Sequence, residues 1–398
     1  MGKKIIEKSV FVSDEQLSSP SEGNIYGRYF EKSGIFNIFP PDLQNNGSVI
    51  GKILPKGSEP TRSKLCGIIT EDGVDFYSFG KKIGSEVYSL YQNIFSRNTG
   101  ILESDVMAEK RVVILGCGSV GSLVALELAR AGVQHFILVD ADILEYHNVC
   151  RHQCGIEDVG DLKVYALKRK ILNINPRADV VTFEGIFQNM PKETLDDFCV
   201  AGNTIFVGCA DNRIADVYTN RISIYYKASF ISIGFWERAF AGEIFYHICG
   251  RNMPCYECAI GDGSGISARA EANHHVYSNQ EETEGLKFEP GISVDISFAT
   301  SIGIKLILDI LNIGNDDYIP RLLNNLTQYT LVCNTSDPKI GGEMVEIFSY
   351  PLQVTTSLKV GFSKKCGDKC KYEKTTHNWQ RSGVNGSNNI SSHLGNHR

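Results

Sequence analysis

From Met1 to about Gly84 no hydrophobic period survives for long, because Pro20, Pro40, Pro41, Pro55, Pro60 and frequent glycines interrupt it. Alternating patches such as Gly67 to Phe79 predict short strands and turns, hence a small, mainly β module over residues 1–84. Val87, Leu90, Tyr91 and Phe95 then fall on one side of a helical period, which predicts a helix from Ser85 to Ser96 and a connector ending near Lys110. Beyond it the rhythm becomes regular. Arg111 to Leu115 reads as an apolar strand, Val120 to Ala131 as a helix and Phe136 to Val139 as a second apolar strand, together a βαβ unit. The alternation continues with a helix at Leu162 to Asn173, strands at Val180 to Phe183 and Thr204 to Val207, a helix from Arg213 to Lys227 and a strand at Phe230 to Ile233. The fold class is therefore α/β, a doubly wound Rossmann-like parallel sheet. A Gly/Ser-rich polar stretch, Asp262 to Gly285, predicts a flexible loop within 262–290. A buried helix from Ile292 to Leu311 follows, then strand-like text to about Phe362. The main domain is expected over residues 85–370, and the Asn/Ser/Gly/His mixture of 371–398 reads as a disordered tail.

Composition narrows the function classes. In 398 residues, 42% hydrophobic and 22% charged content suffices for an extensive core. A net charge of -6 and a pI near 5.9 supply no basic field for a phosphate backbone, so nucleic acid is not expected as a partner. The charged amino terminus does not resemble a signal peptide, and Asp295, Lys305 and Asp309 in the most apolar long segment argue against a membrane span. A cytoplasmic protein with reduced or metal-bound thiols is the expectation for its twelve cysteines.

Gly116-Cys117-Gly118-Ser119-Val120-Gly121 sits between a predicted strand and a predicted helix, the context that gives a G-x-G-x-x-G match its meaning. Lacking Cβ atoms, Gly116, Gly118 and Gly121 permit a tight turn, approach of main-chain amides to phosphate oxygens, and close helix-strand packing. Asp140, ending the second strand, is placed to accept hydrogen bonds from ribose hydroxyls. A nicotinamide dehydrogenase would share these features. What separates the readings is the polar and cationic set that follows: Asp142, Asn148, Arg151, Gln153 and Lys163. A triphosphate needs side-chain cations while pyrophosphate leaves, and Arg151 and Lys163 suit that task; taken singly, each could equally be an exposed surface charge. Asp211, past the strand at Val207, suits Mg2+ or the N-cap of the next helix, or both.

Cys255-x-x-Cys258 and Cys366-x3-Cys370 could together furnish four thiolates for a closed, structural Zn2+ site that pins the C-terminal segment. Alternatively the first pair is a redox couple and the second incidental.

In order and nearly in spacing, these residues resemble the ThiF/MoeB/HesA family, which shares its adenylation fold with ubiquitin-activating enzymes. Arg111 to Gly121, Asp140 and Asp142, Asn148-x-x-Arg151-x-Gln153, Val159-Gly160-x-x-Lys163, Asn173-Ile-Asn-Pro176, Asp211-Asn212, Asn220-Arg221, Ile231-Ser-Ile-Gly234, Gly242-Glu-Ile-Phe245, Cys255-Tyr-Glu-Cys258 and Pro290-Gly291 carry the likeness, about Ser96 to Cys370. The resemblance implies an ATP-dependent adenylyltransferase in which Asp140 binds ribose, Asn148, Arg151 and Lys163 address phosphates, Asp211 binds Mg2+ and the two cysteine pairs hold zinc. It also implies a homodimer, with an arginine lent by the neighbouring subunit; Arg97 stands at that point.

There are departures. Asp216 stands where many relatives have an arginine, so either Arg213 replaces it or that phosphate contact is absent. Some relatives pass the activated substrate to a cysteine in the loop before the last long helix, yet residues 262–290 contain none. Cys117 lies inside the nucleotide loop, Cys150, Cys154 and Cys209 read as core or near-core thiols, and none of the four is expected to have covalent duty. Two substrate classes stay open: a small ribosomal peptide, as for microcin C-type peptide adenylyltransferases, or a Gly-Gly-ending ubiquitin-like sulfur carrier. The long N-terminal extension, a candidate peptide clamp, favours the peptide; a dehydrogenase or a non-catalytic scaffold on the same fold are the readings from other classes.

Overall fold

The computed structural model describes residues 8–41, 43, 47–90, 92–210, 213–260, 290–363, 366 and 370. They fall into two compact units, one made of residues up to 100 with 171–178, the other of the remaining residues from 101 onward. In the first, β1 (Ser9–Ser13) leads into a short helix α1 (Asp14–Ser18), whose first turn is closed by a capping box between Ser13 and Gln16. β2 (Gly23–Phe30), β3 (Ile35–Ile38), β4 (Ser48–Leu54), β5 (Cys66–Ile69), β6 (Val74–Ser78) and β7 (Lys81–Tyr88) follow. With β1 they close a barrel in the order β1-β3-β2-β4-β5-β6-β7, and β1 runs parallel to both β3 and β7. Closure leaves no sheet edge to protect, and alternate side chains fill the interior: Val10, Phe36 and Leu65 are fully buried.

The mainly β character read from the sequence is present, but the helix expected from Ser85 to Ser96 is not. Gly84 to Tyr88 pair with β1, and turns occupy the described residues 92–100. Main-chain pairing that closes the barrel outweighs a helical spacing of apolar residues, and Val87 is exposed rather than part of a buried stripe.

From residue 101 the elements are α2 (Ser104–Ala108), β8 (Arg111–Leu115), α3 (Ser119–Arg130), β9 (His135–Asp140), α4 (Lys163–Ile174), β10 (Asp179–Glu184), α5 (Lys192–Phe198), β11 (Thr204–Gly208), α6 (Arg213–Tyr225) and β12 (Ser229–Phe235). Then come β13 (Ala241–His247), α7 (Tyr256–Ile260), α8 (Ser293–Leu311), β14 (Tyr329–Cys333), α9 (Pro338–Gly341) and β15 (Val354–Leu358). The strands form an eight-stranded sheet in the order β10-β9-β8-β11-β12-β13-β14-β15. Its first five strands are parallel, as the alternating helices and strands require, whereas β13, β14 and β15 extend it antiparallel. Strands β8, β11 and β13 are buried along nearly their whole length; the parallel strands β8 and β11 accordingly read as apolar runs, whereas the antiparallel β13 takes Glu243 and His247 into the interior.

Helix α8 packs on α3, β12 and β13. Asp309, buried on this helix, accepts the main-chain N–H groups of Arg321, Leu322 and Leu323 and the hydroxyl of Tyr318, so a charge that is costly in an apolar segment anchors the loop after it. Among the described residues no helix is long and apolar enough to cross a membrane. The flexible loop expected at 262–290 falls outside the described residues except Pro290, and the tail expected at 371–398 falls wholly outside them.

Candidate functional site

Strand order reverses direction between β8 and β11: the chain leaves β8 toward β9 on one side, and β11 toward β12 on the other. Such a switch point opens a crevice beyond the carboxyl ends of the strands. The loop 116–121 lies there, between β8 and the amino end of α3. Gly116 has φ +88°, and a Cβ on it would lie 2.8 Å from the Ala210 nitrogen just past β11. A Cβ on Gly121 would lie 1.8 Å from the Gly116 carbonyl oxygen, so that glycine is needed for the helix to approach the strand. Gly118 differs from both. It caps the amino end of α3, and among the described residues a Cβ there would meet nothing within 4 Å. The described residues thus leave open the space that the first turn of this 12-residue helix faces across a residue with no side chain, a cradle that suits an anion.

Asp140 holds this loop from the next strand. Its Oδ2 accepts the Cys117 N–H at 2.6 Å and its Oδ1 accepts the Asp142 N–H at 2.8 Å. Each carboxylate oxygen keeps a second lone pair for an outside donor. On the other side of the same residue stands His152, which sequence reasoning passed over: its Nε2 lies 2.7 Å from the Cys117 carbonyl oxygen and its Nδ1 accepts the Cys154 N–H at 3.0 Å. The Gln153 N–H reaches Ser122 Oγ at 3.3 Å, so the segment after Arg151 is tied to both the loop and α3. No local pattern announces the role of His152, because its partner lies 35 residues earlier.

Lys163, the first residue of α4, is nearly buried and its Nζ pairs with Asp142 Oδ2 at 2.7 Å. Asn148 closes the turn before it by accepting the Glu145 N–H at 2.9 Å, and its carbonyl accepts the Arg151 N–H at 3.0 Å. The Arg151 guanidinium lies beside Gly291 ahead of α8, since a Cβ on that glycine would be 3.5 Å from Nη1. The structure therefore links Gly116, Gly118 and Gly121 at the start of α3, Asp140 at the end of β9, Asn148, Arg151 and Gln153 on the segment after it, and Lys163 at the start of α4. Arg97 belongs to the first unit, in the turns after β7. Asp211 and Asn212 lie outside the described residues.

Of the two alternatives for Arg213, the structure favours a committed cation. Its Nη2 pairs with Glu243 Oε1 at 2.7 Å, and the nearby carboxylate raises its pKa against the opposing pull of burial. Glu243, itself buried, also accepts Trp236 Nε1 at 3.0 Å and the Tyr329 hydroxyl at 2.7 Å. Asp216 is buried and accepts the Ser232 hydroxyl, so it serves the packing of α6 on β12. This Glu243 hub links α6 to strands β13 and β14, another feature not visible in sequence.

Four buried sulfurs converge elsewhere in the same unit. Cys255, Cys258, Cys366 and Cys370 place their Sγ atoms within 4.8 Å of one another, with contacts of 3.7, 3.5, 4.0 and 3.6 Å around the set. Four thiolates about 2.3 Å from one tetrahedral ion would stand about 3.8 Å apart, so the donor set fits a metal such as zinc. The Cys255 thiol donates to Cys258 Sγ and the Ser363 N–H reaches the same sulfur at 3.4 Å, and these bonds hold the Cys258 thiol below its ordinary pKa against the opposing effect of burial. The remaining thiols near the loop are held protonated: burial pushes Cys117 and Cys209 well up and Cys154 to about 12. Cys150, by contrast, is exposed rather than near-core, because it sits on the solvent side of the turn that Asn148 closes.

Residues 92–338 match the ThiF family. Ubiquitin-like modifier-activating enzyme 5 of Arabidopsis thaliana is 28% identical over 209 residues, 48% of either chain. The tRNA threonylcarbamoyladenosine dehydratase of Bacillus subtilis is 33% identical over 121 residues, 29% of this chain and 46% of that protein. The chain spans about half the length of the curated relatives it matches. Among solved structures, E. coli MccB with ATP is 20% identical, with 69% of this chain and 73% of that one covered at a TM-score of 0.47.

Proposed function

The chain belongs to the ThiF family, and from that premise we propose that it is an ATP-dependent adenylyltransferase acting on the C-terminal carboxylate of a small peptide. The observation that carries this reading is the open cradle at Gly118, set at the sheet's switch point with Asp140 on one side and Arg151 and Lys163 on the loops beside it. A carboxylate oxygen of the substrate attacks the α-phosphorus of ATP, the bond to the β-phosphate breaks, and pyrophosphate leaves with an acyl adenylate behind. The substrate supplies the nucleophile, so the protein's tasks are alignment and charge neutralisation. In this reading Asp140 receives the ribose, the loop amides and Asn148 orient phosphates, Gln153 supports the loop, and Arg151 and Lys163 neutralise the leaving pyrophosphate. Asp211 would hold a magnesium ion, which would supply Lewis-acid charge to the phosphates, and Arg97 of a second copy in a homodimer would add a further cation. Zinc on Cys255, Cys258, Cys366 and Cys370 is structural.

Two features support the peptide: the separate barrel unit ahead of the sheet, a candidate clamp, and the absence of cysteine from residues 262–290. A second reading, activation of a ubiquitin-like carrier ending in Gly-Gly, draws on the similarity to ubiquitin-like modifier-activating enzymes. Family membership leaves the dehydrogenase reading without support. Isotope exchange between pyrophosphate and ATP tests the proposal: exchange that depends on a peptide supports it, exchange that depends on a Gly-Gly carrier favours the second reading, and no exchange with any partner points to a scaffold.

A further inference from the structure

We propose that His152 is a positioning residue that aims the Gly118 N–H into the cradle by gripping the peptide before it. The Cys117 carbonyl and the Gly118 N–H belong to one rigid peptide unit and point in opposite directions, so fixing the carbonyl fixes the amide. The Cys117 residue is gripped at both ends, its N–H by Asp140 Oδ2 at 2.6 Å and its carbonyl by His152 Nε2 at 2.7 Å. The Cys154 N–H donates to Nδ1, which leaves the proton on Nε2 and makes the ring a donor to the carbonyl. A neutral ring is required, because a proton on Nδ1 would face the Cys154 N–H.

The surroundings keep it neutral. His152 is buried, and burial lowers its pKa below the ordinary histidine value; Lys163 lowers it further, while the Cys117 carbonyl, Asp140 and Asp158 oppose. The neighbouring thiols Cys117 and Cys154 are themselves held protonated. With the Gln153 N–H tied to Ser122, the grip also sets the register between the main chain after Arg151 and the amino end of α3. This inference rests on the nucleotide reading of the loop.

Three variants separate the atoms involved. His152→Gln retains a donor near the Nε2 position, His152→Asn retains an acceptor near Nδ1 but cannot reach the Cys117 carbonyl, and His152→Ala has neither. Mg-ATP affinity and the KM for ATP in pyrophosphate exchange are measured on the full chain, with thermal midpoints recorded alongside. Expected are a weakening of about tenfold for His152→Asn and His152→Ala, from a buried carbonyl left without its donor, and recovery to within about threefold in His152→Gln. The His152→Asn and His152→Gln pair carries the test if His152→Ala does not fold. Wild-type protein that binds Mg-ATP together with equal affinities for Asn and Gln variants overturns the positioning role and leaves the nucleotide reading standing. Wild-type protein that ignores Mg-ATP overturns both.

Discussion

Substituting alanine at Gly118 and at Gly121 should separate folding from ligand binding within a single loop. At Gly121 the new methyl would lie 1.8 Å from the Gly116 carbonyl oxygen and 2.9 Å from its carbon, both main-chain atoms. Relief needs a backbone shift of about 1.5 Å, so the cost lies at the upper end of overpacking, about 3 kcal/mol, and the thermal midpoint should fall by about 6–12 °C. At Gly118 the methyl meets nothing within 4 Å among the described residues, and φ of −77° is accessible to alanine. The loss of a better helix cap and the reduced entropy of the unfolded chain are each worth about 0.5 kcal/mol and nearly cancel, so the midpoint should stay within about 2 °C. The same methyl, however, stands where a phosphate must approach the helix amides. Losing a charge-assisted hydrogen bond costs about 1.5–3 kcal/mol, which weakens Mg-ATP by about 10- to 100-fold. Thermal melts by circular dichroism and titration calorimetry with Mg-ATP read the two effects separately. A Gly118→Ala protein that binds Mg-ATP as tightly as the wild type, or that melts as low as Gly121→Ala, would refute the cradle.

The cysteine cluster predicts about one zinc per chain by elemental analysis, lost in Cys366→Ser/Cys370→Ser; chelation should lower the thermal midpoint, with recovery on adding zinc but not magnesium. For pH, His247 on β13 is fully buried, and burial lowers its pKa from 6.5 to about 4. The unfolded chain therefore takes up the proton first, and stability falls as pH drops from about 6.5 towards 4, by up to about 3 kcal/mol. Denaturant melts across that window should be flatter for His247→Leu than for the wild type; equal slopes would contradict the assignment.

What the sequence determined by itself is local. Arg111–Leu115 coincides with the strand read from its apolar run, and Gly116 and Gly121 are needed where the spacing placed them, because a strand, a turn and a helix start are decided within a few residues. The thiol pairs were legible as ligand types for the same reason. Only the tertiary structure decided that the pairs meet, since Cys255 and Cys366 are 111 residues apart. It also decided that Arg213 is spent on Glu243, that Asp309 anchors a loop rather than burdening a helix, and that residues 84–88 join a barrel instead of starting a helix. His152 lies on the same side of that divide: a histidine's partner 35 residues away is chosen by how the chain folds back, which no short-range period encodes.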